Sequence, residues 1–158
     1  MARNADEAAI EQLTLDYAFG TDAIGRGDMQ KGKALYHNCF TADAVISVFF
    51  PRPSNDFSGT PDAVKTGPDE WAELVASVFE GKYSATQHLI GNIAVQVRGN
   101  TATMTSYLHA THKRTDTCID VANGTYEDEV VSSDGQWRIR RRTLKLITFL
   151  TLAAPTAR

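Results

Sequence analysis

The chain has 158 residues, of which 42% are hydrophobic and 22% are charged, and its formal net charge is −3 at pH 7. This length suits one domain, spanning residues 1–158, with a core of ordinary size. The net negative charge argues against nucleic acid or an anionic membrane as a partner, and no apolar run approaches the ~20 residues that a membrane-spanning helix needs. Because the first residues lack the apolar core of a secretory signal, and because Cys39 and Cys118 form no CxxC pair, we predict a cytoplasmic protein with two free thiols.

The first part of the chain is predicted to be helical. In residues 5–24, the side chains of Ile10, Leu13 and Tyr17 recur at helical spacing and mark a face that packs inward. Acidic residues occupy the first turn, where the helix dipole favours them. The Gly-Arg-Gly-Asp sequence at residues 25–28 ends this helix. A shorter helix and a strand rich in Val, Ile and Phe are predicted to follow, at residues 29–37 and 44–50.

A loop rich in turn residues runs from residue 51 to residue 61. Loops of this length in a compact domain often form the mouth of a site. Another helix begins at Pro68, since proline and acidic residues favour a first turn, and Gly81 ends it. Its broad apolar face, which includes Trp71, is predicted to pack against the core.

From residue 86 onward the pattern changes to that of strands. Ile93, Val95 and Val97 alternate with small or polar residues, which predicts a strand with one buried face from residue 86 to residue 98. Three further strands joined by tight turns are predicted at residues 101–113, 119–132 and 137–150. Helices followed by a run of antiparallel strands indicate an α+β fold, with a curved sheet over the helices and a cavity between them.

His88 lies at the N-terminal end of the first of these strands and is the strongest catalytic candidate. A neutral imidazole at the rim of an apolar cavity can accept or donate a proton near neutral pH. Asp22 is its candidate partner, because a carboxylate bonded to one ring nitrogen fixes the tautomer and stabilises the imidazolium. The alternative is that Asp22 is an exposed residue at a helix end and that His88 is a core histidine. The residue types alone favour this alternative.

Tyr17 is a second candidate, since its hydroxyl could donate a proton to a departing hydroxyl group or bind a substrate carbonyl. The alternative is a core tyrosine whose hydroxyl reaches solvent. On an ideal helix Tyr17 and Asp22 are rotated roughly 140° apart. Both could face one cavity only across a wide wall, or if Gly20 distorts the last turn.

Tyr107, His109 and Thr111 share one face of a predicted strand. If that face is concave, His109 lines the cavity beside His88, and His112 points the other way. The pair His109-x-x-His112 would then be a poor metal site, and no other cluster has the spacing of metal ligands. We therefore predict no metal.

Three arginines, Arg138, Arg140 and Arg142, alternate along the last strand and by default form a solvated face. The apolar residues that follow share the parity of Arg142, whereas Ile139 has the opposite parity. A bulge between Ile139 and Arg142 would reconcile the two patterns and turn Arg142 inward. There it could stabilise an enolate-like oxygen or a leaving anion.

These features resemble the SnoaL-like family, which has the fold of nuclear transport factor 2 and includes scytalone dehydratase, bile-acid 7α-dehydratase and γ-hexachlorocyclohexane dehydrochlorinase. The resemblance spans residues 5–150 and rests on Tyr17, Asp22, Gln87-His88 and the closing hairpin with Tyr126, Trp137 and Arg142. It implies a cone-shaped α+β barrel of curved mixed or antiparallel sheet with a central pocket. It also implies that Asp22 and His88 form the family's dyad, with Tyr17 and Arg142 at two further site positions.

The resemblance implies a cofactor-independent lyase of the dehydratase type that acts on a hydrophobic, cyclic or polycyclic small molecule. His88 would act as base and then as acid, Asp22 would orient it, and Tyr17 would assist the leaving hydroxyl. The expected substrate-binding residues are His109, Arg142, Phe49, Trp71 and Tyr107.

Two alternatives remain open. The same pocket could hold a ketosteroid-type isomerase or a cyclase. In a different class, the chain could be the non-catalytic small subunit of a ring-hydroxylating dioxygenase, which shares this fold and needs a large partner. The convex face of the sheet and the apolar residues 144–152 suggest a homo-oligomer. The relatives imply a trimer, with a dimer as the alternative.

Overall fold

The computed structural model describes residues 4–155, which form three helices and one six-stranded sheet. This is the predicted α+β fold, and it confirms the predicted helices and four long strands to within a few residues. The elements in chain order are α1 (Ala5–Gly25), α2 (Met29–Cys39), β1 (Phe40–Phe49), β2 (Ala63–Thr66), α3 (Gly67–Phe79), β3 (Ala85–Arg98), β4 (Thr101–Thr115), β5 (Cys118–Ser133) and β6 (Gln136–Ala153).

Helix α1 continues without interruption to Gly25, so Gly20 does not distort its last turn. Instead, Gly20 lets α2 approach, because a Cβ at this position would lie 3.0 Å from ring carbons of Tyr36. The side chains of Asn4 and Asp28 cap the first turns of α1 and α2 by accepting backbone N–H hydrogen bonds. These caps fix where the two helices begin.

The sheet is mixed, with the strand order β2-β1-β6-β5-β4-β3. Strands β1 and β6 are parallel, and every other neighbouring pair is antiparallel. The sheet is curved but open, with β2 and β3 at its edges, so it does not close into a barrel. The three helices pack on its concave face.

Bulges in β3 and β6 decide which side chains face the core. In β3 an extra residue at Asn92, with φ of 49°, shifts the register between Gly91 and Ala94. Because of it, His88 and Val95 point to the same side of the sheet although their positions differ in parity. The alternation of apolar and polar residues in β3 would place His88 on the face opposite Val95. It contains no signal for the bulge at Asn92, so it does not predict that His88 is on the buried face.

In β6 the extra residue is Arg140, which lies between Ile139, opposite Val130, and Arg141, opposite Glu129. The predicted bulge between Ile139 and Arg142 is therefore present. Arg140 and Arg141 remain on the surface, and Arg142 turns inward.

The hydrophobic core lies between the helices and the concave face of the sheet. Its largest fully buried apolar side chains are those of Tyr36, Tyr126, Phe40, Ile10, Ile46, Met104 and Ile139. Fully burying a side chain such as Leu, Ile or Phe contributes about 1.5 to 3 kcal/mol, so this set supplies a large part of the driving force for folding.

Strand β2 and the first residues of β1 are absent from the sequence prediction, because a four-residue strand gives too short a pattern. The loop between β1 and β2 is held by Arg52, whose guanidinium donates to the Thr60 carbonyl and to the Asp62 carboxylate, each at 3.0 Å. None of the helices within residues 4–155 combines the length and the apolar composition that a membrane-spanning helix needs. Cys39 and Cys118 are both free thiols.

Candidate active site

A cavity of about 410 Å³ opens between the concave face of the sheet and helices α1 and α3. Phe50, Val78 and Phe149 stand at its mouth and are between 41% and 53% exposed. Tyr17 and Tyr126 form its buried floor. The remaining lining residues are mostly apolar: Val48, Pro51, Ala63, Trp71, Leu74, Val75, Phe79, Leu108, Ala122, Leu144 and Leu146, together with Thr21, Lys82, His88 and His112. An apolar cavity of this size is suited to a hydrophobic small molecule.

The side chains of Asp22 and His88 meet at the wall of this cavity. The Asp22 Oδ1 atom lies 2.7 Å from the His88 Nδ1 atom. The same carboxylate accepts a hydrogen bond from the His88 backbone N–H at 3.1 Å and one from the Thr86 hydroxyl at 2.9 Å. Asp22 is 7% exposed, so three donors satisfy a carboxylate that is nearly withdrawn from water.

These contacts set the ionisation of Asp22 and the tautomer of His88. Burial by itself raises the pKa of Asp22. The hydrogen bonds from His88 and from the Thr86 hydroxyl, together with the positive charge that His88 carries when it is protonated, outweigh burial and leave the pKa of Asp22 below its ordinary value. A carboxylate oxygen only accepts, so His88 Nδ1 carries the hydrogen of the 2.7 Å contact. The Nε2 atom of neutral His88 is then an unprotonated acceptor.

Helix α1 and strand β3 bring these residues together because their backbones approach closely. Gly25, in the last turn of α1, lies against Thr86, and a Cβ at Gly25 would overlap the Thr86 side chain. Asp22 is one turn earlier in the same helix and reaches the first residues of β3. The approach of the two elements therefore depends on a glycine at position 25.

Tyr17 lines the cavity, whereas Asp22 lies behind His88 and does not. The rotation of roughly 140° between the two residues is compatible with this arrangement, because only one of them has to face the cavity. Thr21, one turn after Tyr17, donates to the Tyr17 carbonyl at 2.9 Å and is 2.7 Å from the Tyr36 hydroxyl. Since a threonine hydroxyl has one hydrogen, Tyr36 donates in the second contact.

Arg142 faces inward but lies beneath the floor of the cavity and does not line it. Its guanidinium is 1% exposed and makes two hydrogen bonds to Asp128, at 2.8 and 2.7 Å. The rings of Tyr17 and Tyr126 cover it, with their centroids 4.2 and 4.4 Å from its Cζ atom. Arg142 therefore does not occupy the lining position that its predicted contact with substrate requires, because the Asp128 carboxylate and two aromatic rings surround its guanidinium.

The Arg142 guanidinium also acts on the floor tyrosines. Burial raises the pKa of Tyr17, and the positive charge of Arg142 opposes this effect. The same two influences act in the same directions on Tyr126, whose pKa lies well above its ordinary value. Both tyrosines therefore remain protonated hydroxyls at neutral pH and can donate hydrogen bonds.

Two predicted lining residues of β4 point the wrong way. Tyr107 is 57% exposed on the convex face, and His109 lies on the same face, where its Nδ1 is 2.7 Å from the Asn123 side-chain oxygen. The concave face of β4 instead carries Ala102, Met104, Leu108, Ala110 and His112. The face that carries Tyr107 and His109 is therefore convex, and the condition under which His109 would line the cavity is not met.

Phe49 is also outside the cavity. It is 6% exposed, but its ring packs against Phe57, with centroids 6.0 Å apart, and under the Arg52 guanidinium. The loop after β1 covers this side of the strand, and the next residue, Phe50, lines the mouth instead. Trp71, by contrast, does line the cavity.

The comparison with protein families identifies the fold. A sequence model of the SnoaL-like domain matches residues 2–143, which is most of the chain. The chain belongs to the SnoaL-like family.

Solved structures agree with this assignment at the level of the SnoaL-like fold. A putative scytalone dehydratase from Novosphingobium aromaticivorans is 24% identical, with a TM-score of 0.68, and the match covers 97% of this chain and 94% of that one. Hexachlorocyclohexane dehydrochlorinase LinA-type3 from Novosphingobium barchaimii is 18% identical, with a TM-score of 0.74, and the match covers 98% and 94% of the two chains.

A third similar structure is a putative aromatic ring hydroxylase from Novosphingobium aromaticivorans. It is 24% identical, with a TM-score of 0.70, and the match covers 98% of this chain and 96% of that one. Identities this low, and names this different, establish the shared fold alone. The search of curated proteins finds no match.

His112 is the main residue of this SnoaL-like site that the sequence interpretation placed wrongly. Its ring is edge-on to that of His88, with centroids 5.4 Å apart, and both line the cavity. Burial, followed by the proximity of His88, lowers the pKa of His112 to about 4, so it is neutral at pH 7. The apolar alternation of Ala102, Leu108 and Ala110 was a usable signal for its inward orientation.

In the described part of the chain, no group of three or more His, Cys, Asp or Glu side chains is arranged to hold a metal ion. The lining residues with polar groups are Tyr17, Thr21 and Tyr126 with their hydroxyls, His88 and His112 with their imidazole rings, Trp71 with its indole N–H, and Lys82 with its ammonium group at the mouth. Such groups are suited to moving protons and to binding a substrate oxygen.

Proposed function

We propose that the protein is a cofactor-independent lyase that eliminates water from a hydrophobic cyclic or polycyclic molecule. The observation that carries this proposal is the Asp22–His88 pair, in which a buried carboxylate holds the Nδ1 side of an imidazole ring that lines an apolar cavity. Asp22 remains ionised and holds the ring, so His88 can gain and lose a proton without moving. The apolar surroundings strengthen its electrostatic interactions with a substrate.

In this mechanism, His88 Nε2 removes a proton from a carbon next to a carbonyl group. The electrons of that C–H bond form the new carbon–carbon double bond, and the C–O bond to the neighbouring hydroxyl breaks. The departing oxygen takes the proton back from His88 Nε2 and leaves as water. Asp22 stabilises the imidazolium between these two steps, and the Tyr17 hydroxyl donates a hydrogen bond to the substrate.

The arrangement favours an enzyme over the non-catalytic dioxygenase subunit. A buried carboxylate that binds an imidazole at the wall of an apolar cavity supports a catalytic role, because this pairing is suited to proton transfer. His112 adds to the argument: it is neutral at pH 7, and of the two imidazole rings in the cavity His88 is the one whose ring nitrogen contacts a carboxylate at 2.7 Å.

Cyclic β-hydroxy ketones of increasing ring number test the proposal. Purified protein should convert a member of this panel to the unsaturated ketone and water, detected by mass spectrometry and by the ultraviolet absorbance of the product. His88→Gln should lower turnover by on the order of 10²-fold or more. Asp22→Asn should have a similar effect because it removes the carboxylate that fixes the tautomer.

His109→Gln is the matched control, because it makes the same substitution on the outer face of the sheet, and it should retain wild-type turnover. Full activity of His88→Gln would overturn the mechanism. A product with the mass of the substrate would instead indicate an isomerase in the same pocket.

We also propose that the convex face of the sheet mediates self-association. Leu89 and Tyr107 lie on neighbouring strands of this face and are 65% and 57% exposed, so together they form an apolar patch on its surface. Light scattering of the wild type should give a mass above that of one chain. The double variant Leu89→Asp with Tyr107→Asp should give a monomer, whereas Phe19→Asp, at an exposed position on α1, should not.

A further inference from the structure

Among the cavity-lining residues that the structure describes, Lys82 is the one lysine, and none of them is Arg, Asp or Glu. The others are apolar, hydroxyl-bearing or imidazole side chains. Lys82 lies in the turn between α3 and β3 and is exposed to solvent. A single cation at the rim of an apolar cavity is expected to influence which molecules enter.

Aromatic rings hold the Lys82 ammonium group at one side of the mouth. Its Nζ atom lies 5.1 Å from the ring centroid of Tyr83 and 5.8 Å from that of Phe149. The same two rings pack against His112, with centroid distances of 5.0 and 5.9 Å. Lys82 is therefore separated from the histidine side of the cavity by one layer of aromatic rings.

No carboxylate of the described residues forms an ion pair or hydrogen bond with Lys82, although Lys33, Lys113 and Lys145 all have such partners. Asp120 is near enough for an electrostatic interaction with Lys82, but its carboxylate is already bound by other groups. It accepts hydrogen bonds from Tyr83 and Thr151, each at 2.6 Å, and from Arg114 at 3.3 Å.

From this geometry we infer that Lys82 binds an anionic group of the substrate and that the substrate is a hydrophobic cyclic carboxylic acid. An ammonium group that rests on aromatic faces keeps N–H donors directed away from the rings, and the rings make no competing hydrogen bond. The carboxylate would lie at the mouth, where it stays partly hydrated. The apolar ring system would extend inward to His88 and Tyr17.

This inference names the substrate class of the proposed elimination site and so rests on that function, but its test measures binding alone. The probes are 2-naphthoate and 2-naphthamide, which have the same ring system and differ in charge. Isothermal titration calorimetry at low salt should give a dissociation constant about fivefold lower for the carboxylate, as expected for one partly exposed ion pair. Raising the ionic strength should reduce this preference.

Lys82→Met keeps the apolar stem of the side chain and removes its charge. In this variant the two probes should bind with nearly equal affinity, and the affinity for 2-naphthamide should change less than twofold. Lys31→Met is the matched control, since it makes the same change in net charge on the exposed surface of α2. It should retain the wild-type preference for the carboxylate.

A carboxylate preference that survives in Lys82→Met would overturn the inference, and so would equal binding of the two probes, or binding of neither, by the wild type. His88→Gln distinguishes this proposal from the proposed elimination. It should lose turnover and keep the carboxylate preference, so that the failure of either idea is visible without the other.

Discussion

The Asp22 carboxylate and the His88 imidazole are 2.7 Å apart, although the two residues are separated by 66 positions in the chain. Their contact joins the last turns of α1 to the first residues of β3. It therefore serves the packing of the helix on the sheet as well as the chemistry of the cavity. The two roles can be separated by experiment.

Asp22→Asn should destabilise the protein at pH 7 by about 1 to 3 kcal/mol, because the amide is a weaker acceptor for the three donors. The pKa of Asp22 is lowered by folding, so its stabilising effect is present above the unfolded value of about 3.9 and is lost as the pH falls through the lower folded value. We therefore expect the free energy of unfolding, measured with urea between pH 7 and pH 3, to decrease less at the acid end for Asp22→Asn than for the wild type. If the free energies of unfolding of the two proteins decreased equally at the acid end, ionised Asp22 would not be the source of the acid sensitivity.

The buried pair of Arg142 and Asp128 predicts strong coupling. Arg142→Met leaves a buried carboxylate and Asp128→Leu leaves a buried guanidinium, so each single variant should lose about 3 to 5 kcal/mol of stability. The double variant should lose clearly less free energy of unfolding than the two single variants lose together, because it leaves neither charge unpaired. Urea unfolding of the four proteins measures the coupling, and additive losses would show that the pair is not coupled.

The fold was accessible from the sequence because its long elements have clear periodic patterns. Helical spacing in residues 5–24 and alternation in the last four strands were sufficient to predict helices under a curved sheet. The inward turn of Arg142 was also predictable, because the apolar residues on either side of it in β6 differ in parity. A bulge is the physical consequence of such a mismatch.

The contents of the site were less accessible because they depend on long-range partners. Asp128 gives no local signal that its carboxylate binds Arg142 from the neighbouring strand. The bulge at Asn92 leaves no mark in the alternation of β3, and the loop that covers Phe49 follows no repeating pattern. His112 is different, since counting the apolar residues of β4 on each face would have placed it correctly.

His112 should make the protein less stable in mild acid. Folding lowers its pKa from an ordinary value of 6.5 to about 4, so between these values the unfolded chain binds a proton that the folded protein does not. Stability should fall as the pH decreases through this window, by up to about 3 kcal/mol. The free energy of unfolding of His112→Gln should depend less steeply on pH between pH 6.5 and pH 4.5 than that of the wild type. His109→Gln, on the exposed face, should keep the wild-type dependence. An unchanged slope in His112→Gln would assign the acid sensitivity to another group.

Gly25 should be intolerant of a side chain, because a Cβ there would overlap the Thr86 hydroxyl that donates to Asp22. We expect Gly25→Ala to destabilise the protein by about 1 to 3 kcal/mol through this overlap. The cost should be smaller in a Thr86→Ala background, where the hydroxyl is absent. Gly91→Ala is the control, because a Cβ at Gly91 meets no atom within 4 Å. Thermal unfolding measures all four variants, and an equal cost of Gly25→Ala in both backgrounds would show that Thr86 is not the obstacle.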